Sequence, residues 1–271
     1  MNGPQGLSVE AVVKMKQAGK KITVLTAYDA SMTKHLEAAG VEVILVGDSL
    51  GMVVQGHDST LLVTVDDMIY HCRLVACARE SALLVVDMPY HSYTTVDMAR
   101  ANAQRLVKEG GADMVKLEGA GAVLDAIRAI VAGGIPVCGH LGLLPQSIEE
   151  LGGYRVQGRE QAAADKMVAD ARALEEAGAS MMVLECIPSA LGKRISEAVT
   201  IPTIGIGAGP DCDGQVLVLY DLLGLTPGKR PRFSKDFLGE MPAGKGITEA
   251  VRAYVEAVKT GKFPAPEHGF K

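Results

Sequence analysis

No CxxC pair occurs among these 271 residues, and the five cysteines (Cys72, Cys77, Cys138, Cys186 and Cys212) are odd in number. A disulfide framework and a thiolate zinc site are therefore not expected, and a reducing cytoplasm fits. Lys and Arg are scattered, with no longer basic run, and the net charge is −5, so the footprint of a nucleic-acid or acidic-membrane binder is missing. The amino terminus lacks a continuous apolar stretch and carries Glu10, which argues against a signal peptide and for a first helix. The longest uncharged stretch, 129–148, is rich in glycine and broken by Pro136 and Pro145, poor material for a membrane span. No GxGxxG fingerprint follows the first apolar run, where the sequence reads Thr26-Ala-Tyr-Asp-Ala-Ser-Met32; an open dinucleotide-binding sheet is disfavoured accordingly. Internal repeats, low-complexity tracts and linkers are also missing before about Pro227. Small solutes are the expected partners, with no nucleic acid and no membrane.

What is present is apolar material in a regular order. Hydrophobic residues make up 48% and charged residues 22%, enough for a large core. Eight short β-rich runs recur: Ile22–Thr26, Val43–Val46, Leu83–Val86, Met114–Leu117, Pro136–Gly139, Met181–Leu184, Thr203–Ile206 and Val216–Tyr220. Each is continuous rather than alternating, as strands covered on both faces should be. Helical stretches separate them. Thr64 with Asp67 forms a capping-box pattern, Thr95 opens another helix, and Gly110, Gly111 and Gly178 stand at C-caps. Alternating β and α units with eight strands predict an α/β fold, a closed (β/α)8 barrel in one domain over residues 1–271 with helical extensions at both ends. Residues 246–259 read as the last helix, serving packing or subunit contact, and 142–158 as a connection longer than a βα loop usually is.

In such a barrel the site lies at the carboxyl ends of the strands. Acids stand there on four strands: Asp48 after the second, Asp87 at the third, Glu118 at the fourth and Glu185 at the sixth. Any one acid alone would serve equally well as a helix cap or loop acceptor; four together favour a site. Lys116 and Glu118, two apart on a strand, share a face, which suits Lys116 to neutralising charge or holding a substrate carboxylate. Converging carboxylates without His or Cys partners repel unless a hard cation such as Mg2+ compensates. A 2-oxo acid chelating that ion would lose a neighbouring proton to give a metal-stabilised enolate. The base would be a carboxylate outside the metal shell, and Glu185, on a more distant strand, is assigned to it. Ser49 is placed either at a substrate carboxylate or as a helix cap. His140 is read as a loop histidine without a direct catalytic part, and His35, His57, His71, His91 and His268 show no ligand spacing. The run Gly205-Ile-Gly-Ala-Gly209 is read equally as a phosphate cradle or as relief of backbone crowding.

Several of these segments resemble one family, the ketopantoate hydroxymethyltransferases. They are Val46-Gly-Asp-Ser-Leu-Gly-Met52, Gln55-Gly-His-Asp-Ser-Thr60, Asp87-Met-Pro-Tyr90, Val115-Lys-Leu-Glu-Gly119, Pro136-Val-Cys-Gly-His-Leu-Gly142, Gly152-Gly-Tyr154 with Val156-Gln-Gly-Arg159, Leu184-Glu-Cys186, the glycine run just named, Asp213-Gly-Gln215 and Glu267-His268. They span nearly the whole chain. The resemblance implies a barrel of the phosphoenolpyruvate/pyruvate type, and transfer of a hydroxymethyl group from the co-substrate 5,10-methylenetetrahydrofolate to 3-methyl-2-oxobutanoate. The product would be 2-dehydropantoate, on the route to pantothenate and coenzyme A. It implies further that Asp48, Asp87 and Glu118 bind Mg2+, that Asp48, Ser49, Asp87 and Lys116 bind the oxo acid, that Glu185 accepts the proton, and that the chain assembles as a homo-oligomer, a decamer in bacterial members. Gly269 departs from the serine common in the family, and 210–212 fills a variable stretch. The rival readings are a metal-dependent 2-oxo-acid lyase or aldolase on the same barrel and a non-catalytic metabolite-binding barrel, against which Glu185 counts.

Overall fold

The computed structural model describes residues 6–148, 153 and 155–271. Eight parallel strands close on themselves in sequence order: β1 (Ile22–Thr26), β2 (Val43–Val46), β3 (Leu83–Asp87), β4 (Met114–Lys116), β5 (Val137–Gly142), β6 (Met181–Glu185), β7 (Thr203–Ile206) and β8 (Gly214–Leu217). The helices are α1 (Val9–Gln17), α2 (Ala30–Ala39), α3 (Leu50–Val53), α4 (Val65–Ala78), α5 (Val96–Lys108), α6 (Val123–Ala132), α7 (Gln161–Glu176), α8 (Ser189–Ala198), α9 (Leu219–Leu222) and α10 (Ile247–Lys259). The ladder between β1 and β8, with Val24 opposite Val216, closes the barrel.

Two apolar layers follow from this closure. One lies between strands and helices and includes Ile44, Val46, Leu84, Val86, Leu174 and Leu184. The other fills the barrel with the alternate residues Ile22, Val24, Val43, Leu45, Leu83, Val85, Met114, Cys138, Met181, Val183, Ile204, Ile206 and Val216. Strands apolar on both faces were the expectation, and both faces are in fact covered. Val12 of α1 joins the inner layer, so the first helix plugs the amino-terminal end of the barrel.

Local signals place several ends correctly. Thr64 and Asp67 form the reciprocal capping box of α4, and the Thr95 side chain accepts from the Met98 N–H at the start of α5. Two strands differ from expectation by more than one residue at an end. β5 runs on to Gly142 rather than ending at 139. β8 begins at Gly214 and stops at Leu217, while Tyr220 lies in the one-turn α9. Because α9 is so short, α10 covers the closure seam: it packs on α2 and β1, and the fully buried Tyr254 hydroxyl lies 3.1 Å from the Val24 carbonyl and 2.8 Å from that of Gln215. The connection after β5 holds a 3-10 turn, Pro145–Ser147; residues 149–152 and Tyr154, and with them most of the Gly152-Gly-Tyr154 motif, lie outside the described residues.

Candidate active site

The inward alternation that packs the barrel interior continues upward into polar residues. Leu83 and Val85 lead to Asp87, Met114 leads to Lys116 and Glu118, Cys138 leads to His140, and Met181 and Val183 lead to Glu185. Apolar side chains below and ionisable ones at the carboxyl ends are thus one periodicity read at two heights. Asp48 follows by a different route. It lies just beyond β2, and its own N–H donates to Asp87 Oδ2 at 3.0 Å. At Gly47 a Cβ would come within 2.8 Å of Ser49 Oγ, so the bare backbone lets the 47–49 turn close over the strand.

The four acids, Lys116 and His140 form one connected set. Lys116 Nζ stands 2.7 Å from Asp87 Oδ1 and 3.3 Å from His140 Nδ1. His140 Nδ1 is also 3.3 Å from Glu118 Oε1, and its Nε2 is 3.2 Å from Glu185 Oε2. Neither His140 approach is aligned as a hydrogen bond, since Nε2 and Glu118 Oε1 are buried atoms without a hydrogen-bond partner. An ammonium only donates, so a neutral His140 would accept from Lys116 at Nδ1 and turn Nε2–H toward Glu185. Gln146, from the 3-10 turn, reaches Asp48 Oδ2 with its amide at 2.8 Å and Glu118 Oε2 with its backbone N–H at 3.1 Å. The Glu185 side chain is 13% exposed, against 4% for Asp87 and Glu118; it is the acid that faces the open mouth.

Burial, then the charges of Asp87 and Glu118, hold the Asp48 carboxyl well above the usual range. Burial pushes Glu118 up to about 7. Burial by itself would lower Lys116, but Asp87, Glu118 and Asp48 outweigh it and keep the ammonium charged. Burial and the Lys116 charge lower His140. One consequence concerns the metal-free protein. Between about pH 4.5 and 7 folded Glu118 keeps a proton that the unfolded chain releases, so stability falls as pH rises through that window, by a few kcal/mol in all. In chelator, the unfolding midpoint of wild type should drop more steeply across this range than that of Glu118→Gln; equal slopes would mean that Glu118 is ionised throughout.

Among the described residues no three Asp, Glu, His or Cys side chains are already gathered so as to hold a metal ion. Gln146 instead bridges Asp48 and Glu118, and Lys116 pairs with Asp87. The chemistry of the three acids nevertheless fits a hard cation: the donors are all oxygen, the carboxyls of Asp48 and Glu118 are raised, chiefly by burial, and Glu118 Oε1 is a buried acceptor without a hydrogen-bond partner. Ser49 does not cap α3 with its side chain; its hydroxyl meets that of Tyr28 at 2.8 Å. In the glycine run, a Cβ at Gly207 (φ 64°) would lie 2.9 Å from the Phe270 ring, and one at Gly209 2.5 Å from Ser189, which favours crowding by the returning C-terminal tail. His35 and His71 bond to Thr248 and the Tyr28 carbonyl, away from the acids. A cavity of about 510 Å3 opens under α1 at the opposite end of the barrel, where Arg79 and Asp113 satisfy each other.

Two residues of this neighbourhood, Gln146 and Tyr93, are new relative to the sequence reading, and His140, read there as a loop residue, joins the site. His140 would have been found by counting two residues on from Cys138. Gln146 and Tyr93 carried no signal, because a lone polar residue in a loop has no periodicity.

The chain matches the ketopantoate hydroxymethyltransferase family over residues 7–266. It is 56% identical over 264 residues to a 3-methyl-2-oxobutanoate hydroxymethyltransferase of Alkalilimnicola ehrlichii, covering 97% of this chain and 94% of that one. An enzyme of the same name from Nitrosococcus oceani is 56% identical over 261 residues, with 96% and 98% covered. Among solved structures, 2,3-dimethylmalate lyase of the PEP mutase/isocitrate lyase superfamily superposes with a TM-score of 0.62 at 16% identity, over 97% of this chain and 100% of that one. Phosphonopyruvate hydrolase gives 0.62 at 14%, over 96% and 100%; at such identities the likeness is one of fold. With four acids, a lysine and a histidine at the mouth of that barrel, and full-length identity above one half, the chain belongs to the ketopantoate hydroxymethyltransferase family.

Proposed function

We propose that this enzyme transfers a hydroxymethyl group from 5,10-methylenetetrahydrofolate to 3-methyl-2-oxobutanoate, giving 2-dehydropantoate for pantothenate and coenzyme A synthesis. The methylene carbon joins C3 as its bonds to the two folate nitrogens break, water supplies the hydroxyl group, and the C3 proton and the second water proton end on those nitrogens, releasing tetrahydrofolate. The observation that carries this reading is the placement of Glu185, 13% exposed at the mouth, beside a buried acid cluster and a buried lysine. Asp48, Asp87 and Glu118 would hold Mg2+, which when bound polarises the 2-oxo group and makes C3–H acidic. Lys116 and Ser49 receive the carboxylate of the oxo acid, with Asp48 and Asp87 beside it. Glu185 takes the C3 proton, with His140 Nε2 3.2 Å from its carboxylate. The apolar interior below keeps the lysine and acids from bulk water, which strengthens each of these interactions.

Incubating the protein with the oxo acid, methylenetetrahydrofolate and Mg2+, and identifying the product by mass, tests the reaction. Cleavage of a 2-oxo acid without folate would favour a lyase instead. Lys116→Met should raise the KM for the oxo acid roughly 10- to 100-fold, the worth of a charged hydrogen bond. An unchanged KM would place the carboxylate elsewhere.

The chain is read further as one domain over residues 1–271, acting in the cytoplasm as a homo-oligomer. The five free cysteines and the exposed Leu62, Tyr70, Val96 and Met98 support that reading, and among the described residues no helix is long and apolar enough to cross a membrane.

A further inference from the structure

Three acids of the cluster, Asp87, Asp48 and Glu118, each have one oxygen held by an N–H donor. Asp87 Oδ2 accepts from the Asp48 N–H at 3.0 Å, Asp48 Oδ2 from the Gln146 amide at 2.8 Å, and Glu118 Oε2 from the Gln146 N–H at 3.1 Å. The opposite oxygens, Asp48 Oδ1, Asp87 Oδ1 and Glu118 Oε1, are left out of these bonds, and of the three Asp87 Oδ1 is paired with the Lys116 ammonium at 2.7 Å. Gln146 alone supplies two of the three ties, joining acids that lie 98 and 28 residues away from it in sequence.

Its amide can stand only one way round. Nε2 donates both to Asp48 Oδ2 and to the Met88 carbonyl at 2.9 Å, and Oε1 accepts from the Tyr93 hydroxyl at 2.5 Å. Turning the amide over would set its carbonyl oxygen against a carboxylate and a carbonyl and leave Tyr93 without an acceptor. The same hydroxyl lies 3.4 Å from the Glu118 N–H. The side chain is buried, with 5% exposure, so water cannot take over these bonds.

We propose that Gln146 is a positioning residue for the divalent cation: by holding the outer oxygens of Asp48 and Glu118 it turns their inner oxygens to the metal and sets the affinity of the site. The inference rests on Asp48, Asp87 and Glu118 being the ligands. Partners of this kind typically govern 10- to 100-fold in metal affinity.

Gln146→Met keeps the volume and the backbone bond to Glu118 while removing the amide. With Mn2+ as the probe and no substrate present, titration by electron paramagnetic resonance should show a Kd raised about 10- to 100-fold. The gain in unfolding free energy conferred by Mn2+ at a fixed concentration well above the variant's Kd should fall by the logarithm of that factor, about 1.4–2.8 kcal/mol. A space-filling role would lower metal-free and metal-loaded stability equally and leave that gain unchanged, which would overturn the proposal. If Gln146→Met does not fold, Tyr93→Phe decides: it loses the lock on the amide and should weaken Mn2+ in the same direction, whereas wild-type affinity in that variant counts against the proposal. Should wild type bind no Mn2+, the ligand assignment itself fails and the inference with it; wild-type binding with an unaltered variant overturns only Gln146.

Discussion

Glu185→Gln is expected to lower turnover by roughly 10²- to 10⁴-fold, the usual contribution of a positioned general base. The substitution keeps shape and removes only the proton acceptor, so binding of Mg2+ and of the oxo acid should survive. Gln146 ties Asp48 to Glu118 and the Asp48 N–H reaches Asp87, whereas Glu185 meets the set at His140; losing its charge leaves those ties in place. Exchange of the C3 proton with deuterated solvent, followed by NMR with no folate present, isolates the step. Exchange and folate-dependent turnover should fall together. Wild-type exchange with collapsed turnover would move Glu185 to a later proton transfer, at a folate nitrogen as the one-carbon unit is released.

The second large effect is expected at Asp87. Its position at a strand end suggests a ligand whose loss spares the fold, but the structure gives it two further tasks: pairing with Lys116 and accepting the Asp48 N–H. Asp87→Ala removes both and strands a buried cation beside two carboxyls that are themselves raised, a loss of about 3–5 kcal/mol. At roughly 2–4 °C per kcal/mol for a domain of this size, the unfolding midpoint should fall by about 10 °C. Asp87→Asn can still accept the Asp48 N–H and should unfold less readily. Both variants, like exhaustive chelation of wild type, should lose Mg2+-dependent activity by at least about 100-fold. Metal-dependent turnover at the wild-type level in Asp87→Asn would remove Asp87 from the ligand set.

Asp87, Lys116 and Glu118 were legible in the sequence because they continue an alternation that begins in the barrel core, and strand periodicity is a local property of the chain. Glu185 was legible for the same reason. His140 obeys the same rule but was read as a loop residue, because β5 was ended at Gly139, three residues short of its observed end at Gly142. The glycine run was ambiguous until Phe270 was seen to return against Gly207. Ser49 likewise stood between two uses until its hydroxyl was found against Tyr28 rather than capping α3.

By itself, then, the sequence determined the eight strands, the helices between them and the level in the barrel at which the acids stand, since hydrophobic period, capping residues and strand ends all act between near neighbours along the chain. Which acids touch, which oxygens remain free, and that Gln146 and Tyr93 complete the cluster were decided only by the closed barrel. Asp48 and Gln146 are 98 residues apart, and contact between them depends on the order and register in which all the strands between β2 and β5 are laid side by side, a quantity no local period encodes.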